Sequence, residues 1–380
     1  MTSIVPKGSH YVPAIGDNII TKWVNRFSWQ DKTLRFFERD QSFFYHPFSL
    51  MSAYYTVHNK EATRENIGMP DDTILIGDSG GFQVLSFGKK GRQIDVTPMQ
   101  ILRWLEENVD IGMNLDSPPD YDHFNDSLKF SIENFKYFEK NRLRYGDFKL
   151  YNVLHGNNLD HIDLWYNSVK KFNFDGWALG IHPSTNIYLK LIAYLYLHES
   201  GETSHLNSCH FFGVSGPTNM VSLAMLAKHF DASLTFDSSS WTWGQRFRDY
   251  WFSNDIRHCV RLGRLFQNSM NGVPCDCPVC KTLSLDMLYN QSDSITPFLL
   301  SFHNMYNYIN TNKNINIMSD DSEVLQEYAR SIGEEDVFHN TNSIIESYER
   351  FGIEKTYNKF KYLFINKTKT PTETNLFGFT

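Results

Sequence analysis

The sequence has little cysteine, no excess of positive charge and no long apolar run, and each absence argues against a class of protein. Its 380 residues include five cysteines, an odd number with three crowded together, which argues against the disulfide framework of a secreted domain. The formal net charge is -7, so overall charge does not indicate a nucleic-acid binder. No apolar stretch reaches membrane-spanning length, and the first residues lack the layout of a signal peptide. We therefore expect a cytoplasmic protein.

Aromatic residues are abundant instead, with 30 Phe and 20 Tyr. A Phe-rich core explains any single ring, whereas the functional alternative is a ring that stacks on a nucleic-acid base. Basic residues cluster locally, and Arg257, Arg261 and Arg264 fall on one face of a predicted helix. A solvated surface explains this cluster at least as well as a nucleic-acid contact does.

A repeated pattern predicts the fold class. Short apolar runs end in a polar or glycine residue, and a longer amphipathic segment follows each of them. The six run endings are Asp78, Asp116, His155, Gly180, Gly213 and Asp237. Alternating strands and helices indicate a parallel sheet, and six units with room for two more fit an α/β fold of the (β/α)8 TIM-barrel type better than an open sheet. Catalytic groups of such barrels lie at the C-terminal ends of the strands, where these residues fall.

Three regions are expected along the chain. Residues 1–254 would form the main part of the barrel with the active site, and residues 255–310 an inserted zinc-binding subdomain. Residues 311–380 would complete the barrel and add C-terminal helices and a tail. Within this last region, the stretch "NINIM" at 314–318 predicts a late strand.

The cysteine cluster predicts a metal site. Cys275, Cys277 and Cys280 lie within six residues of one another, and His303 follows. Three thiolates and one imidazole complete a tetrahedral zinc shell, which leaves no open position, so we expect a structural and not a catalytic Zn2+ ion. The alternative is three free buried thiols and an unrelated histidine.

Two acids at strand ends suggest catalysis. Asp78 precedes Gly80 and Gly81, and Asp237 lies far away in sequence, yet a barrel would bring both strand ends to one mouth. Two carboxylates can divide the work of nucleophile and proton carrier, as in displacement at the anomeric carbon of a sugar. Either acid could instead cap a helix, and the glycines could cradle a phosphate, although "SGGF" lacks the spacing of a phosphate-binding loop.

An ordered series of motifs resembles the tRNA-guanine transglycosylase superfamily over roughly residues 74 to 305. The series reads "DSGGFQ", "NLDSPP", "VLHG", "DGWALG", "FFGVSGP", "TFDSSS", "CDCPVC" and "LLSFHN". The resemblance implies a β/α barrel with a zinc subdomain. It also implies an enzyme that exchanges a guanine in a polynucleotide for a free 7-deazaguanine base without breaking the backbone.

The resemblance also implies residue roles. Asp237 matches the nucleophile that forms a glycosyl-aspartate, and Asp78 matches the proton-transfer carboxylate. Asp116 matches the residue that reads the base edge, and Phe82 and Phe212 match the two walls that sandwich the heterocycle. The other residues that would line the same pocket are Ser79, Gly80, Gly81, His155, Gly180 and Ile181.

Three differences from the tRNA enzymes of the superfamily bear on which polynucleotide is the substrate. The segment after Asp237 reads "SSSWTWGQRF", with Trp243 where tRNA enzymes carry the arginine of a Pro-Thr-Arg segment, and His155 stands where bacterial tRNA enzymes carry glutamine. The N-terminal "SFFYHPFSLMSAYY" also departs from the usual opening. With these changes the sequence resembles the paralogues, many of them phage-associated, that insert 7-deazaguanine into DNA (the DpdA group). We therefore expect DNA as substrate, in the host cytoplasm if the chain is phage-encoded, with tRNA as the alternative.

Other readings stay open at this point. A decayed barrel could serve as a non-catalytic, zinc-bearing nucleic-acid-binding module, or a barrel glycosidase could release the base to water. Members of the superfamily often form homodimers, so a dimer is compatible with the sequence.

Overall fold

A single parallel sheet of eight strands organises the chain. The computed structural model describes residues 4–15, 27–57, 59–60, 62–81, 96–119, 121–172, 174–181, 186–204, 208–253, 255–261, 275–283 and 295–364. The strands are β1 Gly8–Pro13, β2 Phe48–Ser52, β3 Ile74–Asp78, β4 Ile111–Met113, β5 Lys149–Leu154, β6 Gly176–Leu179, β7 Cys209–Phe211 and β8 Ser233–Ser238. Their spatial order is β1-β8-β7-β6-β5-β4-β3-β2, and every neighbouring pair is parallel.

The sheet curls into a nearly closed barrel. A parallel bridge between Ala14 and Leu50 brings the two outer strands, β1 and β2, together at one point. The (β/α)8-type fold predicted from the sequence is thereby confirmed. The two strands that the repeated pattern did not identify both come from the N-terminal part of the chain, because β1 and β2 precede Asp78.

Helices follow most of the strands and cover the barrel. They are α1 Ala53–Thr56, α2 Pro98–Asn108, α3 Phe124–Asn141, α4 Leu159–Val169, α5 Ile187–Glu199, α6 Pro217–His229, α7 Trp243–Phe247, α8 Thr296–Met318, α9 Ser322–Ser331 and α10 Glu335–Phe360, which is interrupted at Gly352. Local sequence explains their starts. Thr97 caps α2 in a capping box with Gln100, and Pro98 occupies its first turn. No helix in the described ranges is both long and apolar enough to cross a membrane.

The late strand predicted at 314–318 is wrong, because this stretch forms the last turns of α8. Side chains of this part of α8 bind the first strand of the barrel: Asn312 and Asn316 both donate to the backbone carbonyl of Ser9. Tertiary contacts of this kind override a local strand preference. No described residue after Arg261 adds a strand to the barrel sheet, whereas the boundaries of the three regions stay a prediction.

The basic helix predicted around Arg257 is also wrong where the structure describes it. Residues Asp249–Trp251 (β9) and Cys259–Arg261 (β10) form an antiparallel hairpin. Arg261 lies opposite Asp249 in this hairpin and binds its buried carboxylate, with Nε 2.9 Å from Oδ1. Arg257 pairs with Asp255 and Glu334. Each of these two arginines therefore has carboxylate partners within the chain, while Arg264 lies outside the described residues.

Candidate functional site

Three carboxylates come to the C-terminal end of the barrel. Asp78 ends β3, Asp116 follows β4 after two residues, and Asp237 lies near the end of β8. The charges of Asp116 and Asp237 both raise the pKa of Asp78, so the three groups are near enough to interact. Burial is the larger cause, and together these effects raise the pKa of Asp78 to about 7. Near neutral pH, Asp78 is therefore able both to give and to accept a proton.

The two glycines after Asp78 allow close packing between neighbouring loops. Gly80 has φ of +85°, and its N–H donates to Asp78 Oδ1 at 3.1 Å. A Cβ at Gly80 would collide with Tyr54, and one at Gly81 would collide with the backbone carbonyl of Asp116. The turn thus holds the Asp78 strand end directly against the Asp116 loop.

Ser79 takes part in the same packing. It is fully buried, and its hydroxyl donates to the carbonyl of Asn114 at 3.1 Å. The hydroxyl therefore links the ends of β3 and β4 through a hydrogen bond to the protein's own backbone.

Asp116 and His155, both predicted for the base pocket, form a pair. His155 Nε2 lies 2.6 Å from Asp116 Oδ2, and both side chains are buried. The imidazole occupies the space that a Cβ at Gly180 would need. This close approach explains why a glycine follows β6, and the buried Ile181 comes directly after it.

Asp237 has a different environment. The N–H of Gly213 donates to its Oδ1 at 2.8 Å, and Nε2 of the buried His210 lies 3.4 Å from the same oxygen. The Asp237 side chain is 15% exposed, so it reaches the open end of the barrel. Phe212, one predicted wall of the base pocket, is half-buried and packs edge-to-face on His210. The other predicted wall, Phe82, lies outside the described residues.

Two polar residues of this site were missed from the sequence. His210 sits one strand away from Asp237 and also bonds Thr235 through Nδ1. Lys190 is 2% exposed, and its Nζ donates to the carbonyl of Phe212 at 2.7 Å. A signal for Lys190 was present, because it is the one charged residue in the apolar run "IYLKLIAYLYL". His210 had no comparable signal, since a buried histidine is most often a core residue.

The four predicted metal ligands lie together at a second place. The ligand atoms of Cys275, Cys277, Cys280 and His303 all fall within 4.8 Å of one another. The sulfurs are 3.6, 3.4 and 3.2 Å from His303 Nδ1. A tetrahedral ion with bonds of about 2.3 Å to sulfur and about 2.0 Å to nitrogen would set ligand atoms about 3.5 Å apart. The donor set and its spacing fit such an ion.

The surroundings of His303 support the same assignment. Its Nε2 donates to the carbonyl of Trp251 at 2.7 Å, which leaves Nδ1 deprotonated and free to bind a metal. The ring of Tyr250 stacks on the imidazole with a centroid separation of 4.1 Å. An ion held here would tie the segment 275–280 to α8, and the contacts of Tyr250 and Trp251 with His303 place β9 beside it. Four protein ligands leave no open position for a substrate.

Comparison with known proteins places the chain in a family. The family model of queuine tRNA-ribosyltransferase matches residues 47–330. The tRNA-guanine(15) transglycosylase of Methanocaldococcus jannaschii is 26% identical in an alignment of 277 residues that covers 67% of this chain and 38% of that protein. Its counterpart in Saccharolobus solfataricus is 25% identical over 250 residues, and the alignment covers 62% of this chain and 46% of that protein. The enzyme of the same name from Methanosarcina mazei is 24% identical over 266 residues, and the alignment covers 66% of this chain and 48% of that protein.

The chain thus spans less than half the length of these relatives. The matched segment contains the three carboxylates of the barrel end, the Asp116–His155 pair and the four residues of the metal cluster. Since the family model covers well over half of the sequence, this chain belongs to the queuine tRNA-ribosyltransferase family.

Proposed function

We propose that this chain is a guanine transglycosylase that replaces a guanine of a nucleic acid by a free base through a covalent bond to Asp237. The observation that carries the proposal is the pairing of two unlike carboxylates at one barrel end. Asp237 accepts a backbone hydrogen bond at the open mouth, whereas Asp78 has a pKa raised to about 7. Membership of the family supports the same reaction.

The first step breaks the bond between the sugar and the base. Oδ1 of Asp237 is engaged by Gly213, so we assign the attack on the anomeric carbon to Oδ2. A bond forms from this oxygen to the carbon as the carbon–nitrogen bond breaks, and the departing guanine takes its electron pair. The protonated form of Asp78 supplies the proton that neutralises the leaving base.

The second step reverses the first with a new base. The ionised form of Asp78 removes a proton from the incoming base, whose nitrogen then attacks the anomeric carbon and releases the Asp237 carboxylate. Two displacements retain the configuration at the sugar. A pKa near 7 suits this double use, because neither protonation state of Asp78 is rare at neutral pH.

Asp116 is proposed to recognise guanine. The edge of guanine presents N–H donors, and a carboxylate is an acceptor that cannot donate, so it favours guanine over adenine. His155 holds Oδ2, which leaves Oδ1 for the base. A base read in this way must be turned out of its stack, and Phe212 offers one stacking surface for it.

Among nucleic acids, tRNA is the better supported substrate. The relatives in the comparison carry the name tRNA-guanine(15) transglycosylase, which outweighs the preference for DNA drawn from sequence departures. DNA remains the second candidate because of one observation. Trp243 stands where tRNA enzymes carry the arginine of a Pro-Thr-Arg segment and is 43% exposed, so a ring that can stack on an unpaired base replaces a cationic contact to tRNA.

We also propose that the Cys3His cluster binds a structural Zn2+ ion. Thiolate and imidazole ligands with no open position match this metal and role. When bound, the ion would link the segment 275–280 to α8 and would supply no chemistry on the substrate.

An exchange assay tests the proposed function. The protein is incubated with labelled guanine, or with a labelled 7-deazaguanine base, and with tRNA, single-stranded DNA or duplex DNA. We expect label in tRNA, an SDS-stable adduct of protein and nucleic acid, and loss of both in Asp237→Asn. The matched control is Asp122→Asn, which removes an exposed carboxylate and should leave exchange unchanged.

The outcomes separate the alternatives. Label in DNA alone would transfer the proposal to the second candidate. Abasic sites that accumulate without an incoming base would indicate a glycosidase. Tight binding without exchange, indifferent to Asp237→Asn, would indicate a binding module and contradict the proposal.

A further inference from the structure

Lys190 is a buried cation close to Asp237, the proposed nucleophile. The proposed two-carboxylate reaction gives Lys190 no role. It lies on α5 among Leu189, Leu191 and Ile192, which are fully buried. An ammonium group in such surroundings is costly unless it is well paired. Burial lowers the pKa of Lys190 to about 8, and the charge of Asp237 opposes this effect. The two groups therefore interact although they come from different layers of the barrel.

One peptide group connects them. The carbonyl of Phe212 accepts from Lys190 Nζ at 2.7 Å, and the N–H of the same peptide unit, on Gly213, donates to Asp237 Oδ1 at 2.8 Å. Gly213 has φ of +62°, a conformation that favours glycine and turns this N–H towards the carboxylate. A cation on the carbonyl side of a peptide polarises it, so the N–H on the other side becomes a stronger donor.

We propose that Lys190 is a positioning residue, which holds the Phe212–Gly213 peptide so that its N–H fixes Oδ1 of Asp237 and leaves Oδ2 to attack. The catalytic consequence rests on the proposed function, whereas the hydrogen-bonded chain does not. Lys190 has no route to the substrate itself, because its side chain is buried and its ammonium group binds the carbonyl of Phe212. His210 Nε2, 3.4 Å from Oδ1, flanks the same oxygen, so both contacts of Asp237 within the described part of the chain fall on Oδ1.

Three variants distinguish the effect of the positive charge of Lys190 from the effect of its hydrogen bond to the Phe212 carbonyl. Lys190→Met has nearly the same length and removes both the charge and the hydrogen bond, whereas Lys190→Gln keeps a neutral donor. The matched control is Lys149→Met, since Lys149 is also buried but starts β5 at the opposite end of the barrel. Circular dichroism and metal content should be the same in all of them.

The first measurement needs no substrate. The amide proton of Gly213 is followed by NMR in the wild type and the variants. We expect an upfield shift in Lys190→Met, a smaller one in Lys190→Gln and none in Lys149→Met, because loss of the cation weakens the N–H donor. An unchanged Gly213 resonance in Lys190→Met would overturn the proposed chain of hydrogen bonds.

The second measurement follows catalysis. In guanine-for-guanine exchange on the accepted nucleic acid, Lys190→Met should lower kcat by about tenfold to a hundredfold, the loss expected for one hydrogen bond to a charged group. The KM values for guanine and nucleic acid should stay within about twofold, because Asp237 acts on bound substrate. Wild-type kcat in Lys190→Met, or a loss confined to KM, would refute the positioning role. A wild type that neither exchanges nor forms the adduct would refute the proposed function instead, and the Gly213 resonance would still decide the placement of Lys190.

Discussion

Asp78 is held near the midpoint of its ionisation at neutral pH, and this state has a cost for the fold. Burial, with the charges of Asp116 and Asp237, raises its pKa from 3.8 to about 7. Between these values the folded chain keeps a proton that the unfolded chain releases, so stability is lost as the pH rises through 7. A buried group that costs stability in this way is common at active sites, which agrees with the proposed role of Asp78.

Asp78→Asn should therefore stabilise the protein, and more so at higher pH. The asparagine can keep the acceptor for Gly80 N–H and removes the buried charge. We expect the unfolding free energy of the variant, relative to wild type, to increase by about 1–2 kcal/mol between pH 5.5 and pH 8. Denaturant unfolding at the two pH values measures this, with Asp122→Asn as the exposed control. A constant difference would mean that Asp78 titrates well below this range.

Gly180 and His155 should be coupled. A Cβ at Gly180 collides with the His155 ring, which would push the imidazole away from Asp116. We expect Gly180→Ala to lower the unfolding free energy by about 1–3 kcal/mol and to weaken guanine binding. In a His155→Ala background the same change should cost clearly less, because the ring is gone. Equal costs in both backgrounds, measured by chemical denaturation, would rule out this contact as the cause.

At the level of single residues, the sequence predicted which side chains lie at the strand ends better than it predicted their hydrogen-bond partners. Asp78, Asp116, His155 and Asp237 each follow an apolar run, so their place at strand ends could be read locally. The bond of Asp116 to His155 joins neighbouring strands, and its geometry depends on the turn at Gly180. No local pattern contains that information. The same holds for Gly213 and Asp237, which meet only because β7 and β8 are neighbours.

At the level of elements, the metal cluster brings α8, which carries His303, together with the segment 275–280, and His303 also bonds β9 through the carbonyl of Trp251. Cys277→Ser should remove the metal and lower the unfolding free energy by about 3 kcal/mol or more, since binding energy of such a site is folding energy. Cys259→Ser is the matched control, because Cys259 is an exposed thiol of the β9–β10 hairpin outside the cluster. Metal analysis and thermal unfolding give the result. Full metal content in Cys277→Ser would contradict the ligand assignment.

The strands and helices differ in how well the sequence predicts them. The central strands were predicted because apolar runs bounded by polar residues recur, and α2 carries its own capping signals. Residues 314–318 were misread because "NINIM" alternates like a strand, while its contacts to β1 come from a residue more than three hundred positions away. Residues 257–261 were misread because arginine spacing resembles a helix face, whereas a buried carboxylate, Asp249, decides the local structure.

For the whole molecule, closure of the barrel depends on the seam beside β1. β1 pairs with β8 along its length, whereas on the side of β2 the one backbone bridge among the described residues joins Ala14, just after β1, to Leu50. At the start of β1, the side chain of Asn316 on α8 takes the place of a neighbouring strand. Its Oδ1 accepts from Ser9 N–H at 2.9 Å, and its Nδ2 donates to the Ser9 carbonyl at 2.7 Å. A side-chain amide thus satisfies the backbone groups that an incompletely closed barrel would leave unpaired.

Asn316→Ala should consequently weaken the whole fold and not only the end of α8. The Ser9 carbonyl would keep Asn312 as its donor, but the buried Ser9 N–H would lose its acceptor. We expect a loss of about 1–3 kcal/mol in unfolding free energy, together with faster hydrogen exchange in β1 and in its neighbour β8. Asn310→Ala, on an exposed position of the same helix, should change neither. If exchange accelerates only in α8, the seam is held by the backbone bridge, and Asn316 does not close the barrel.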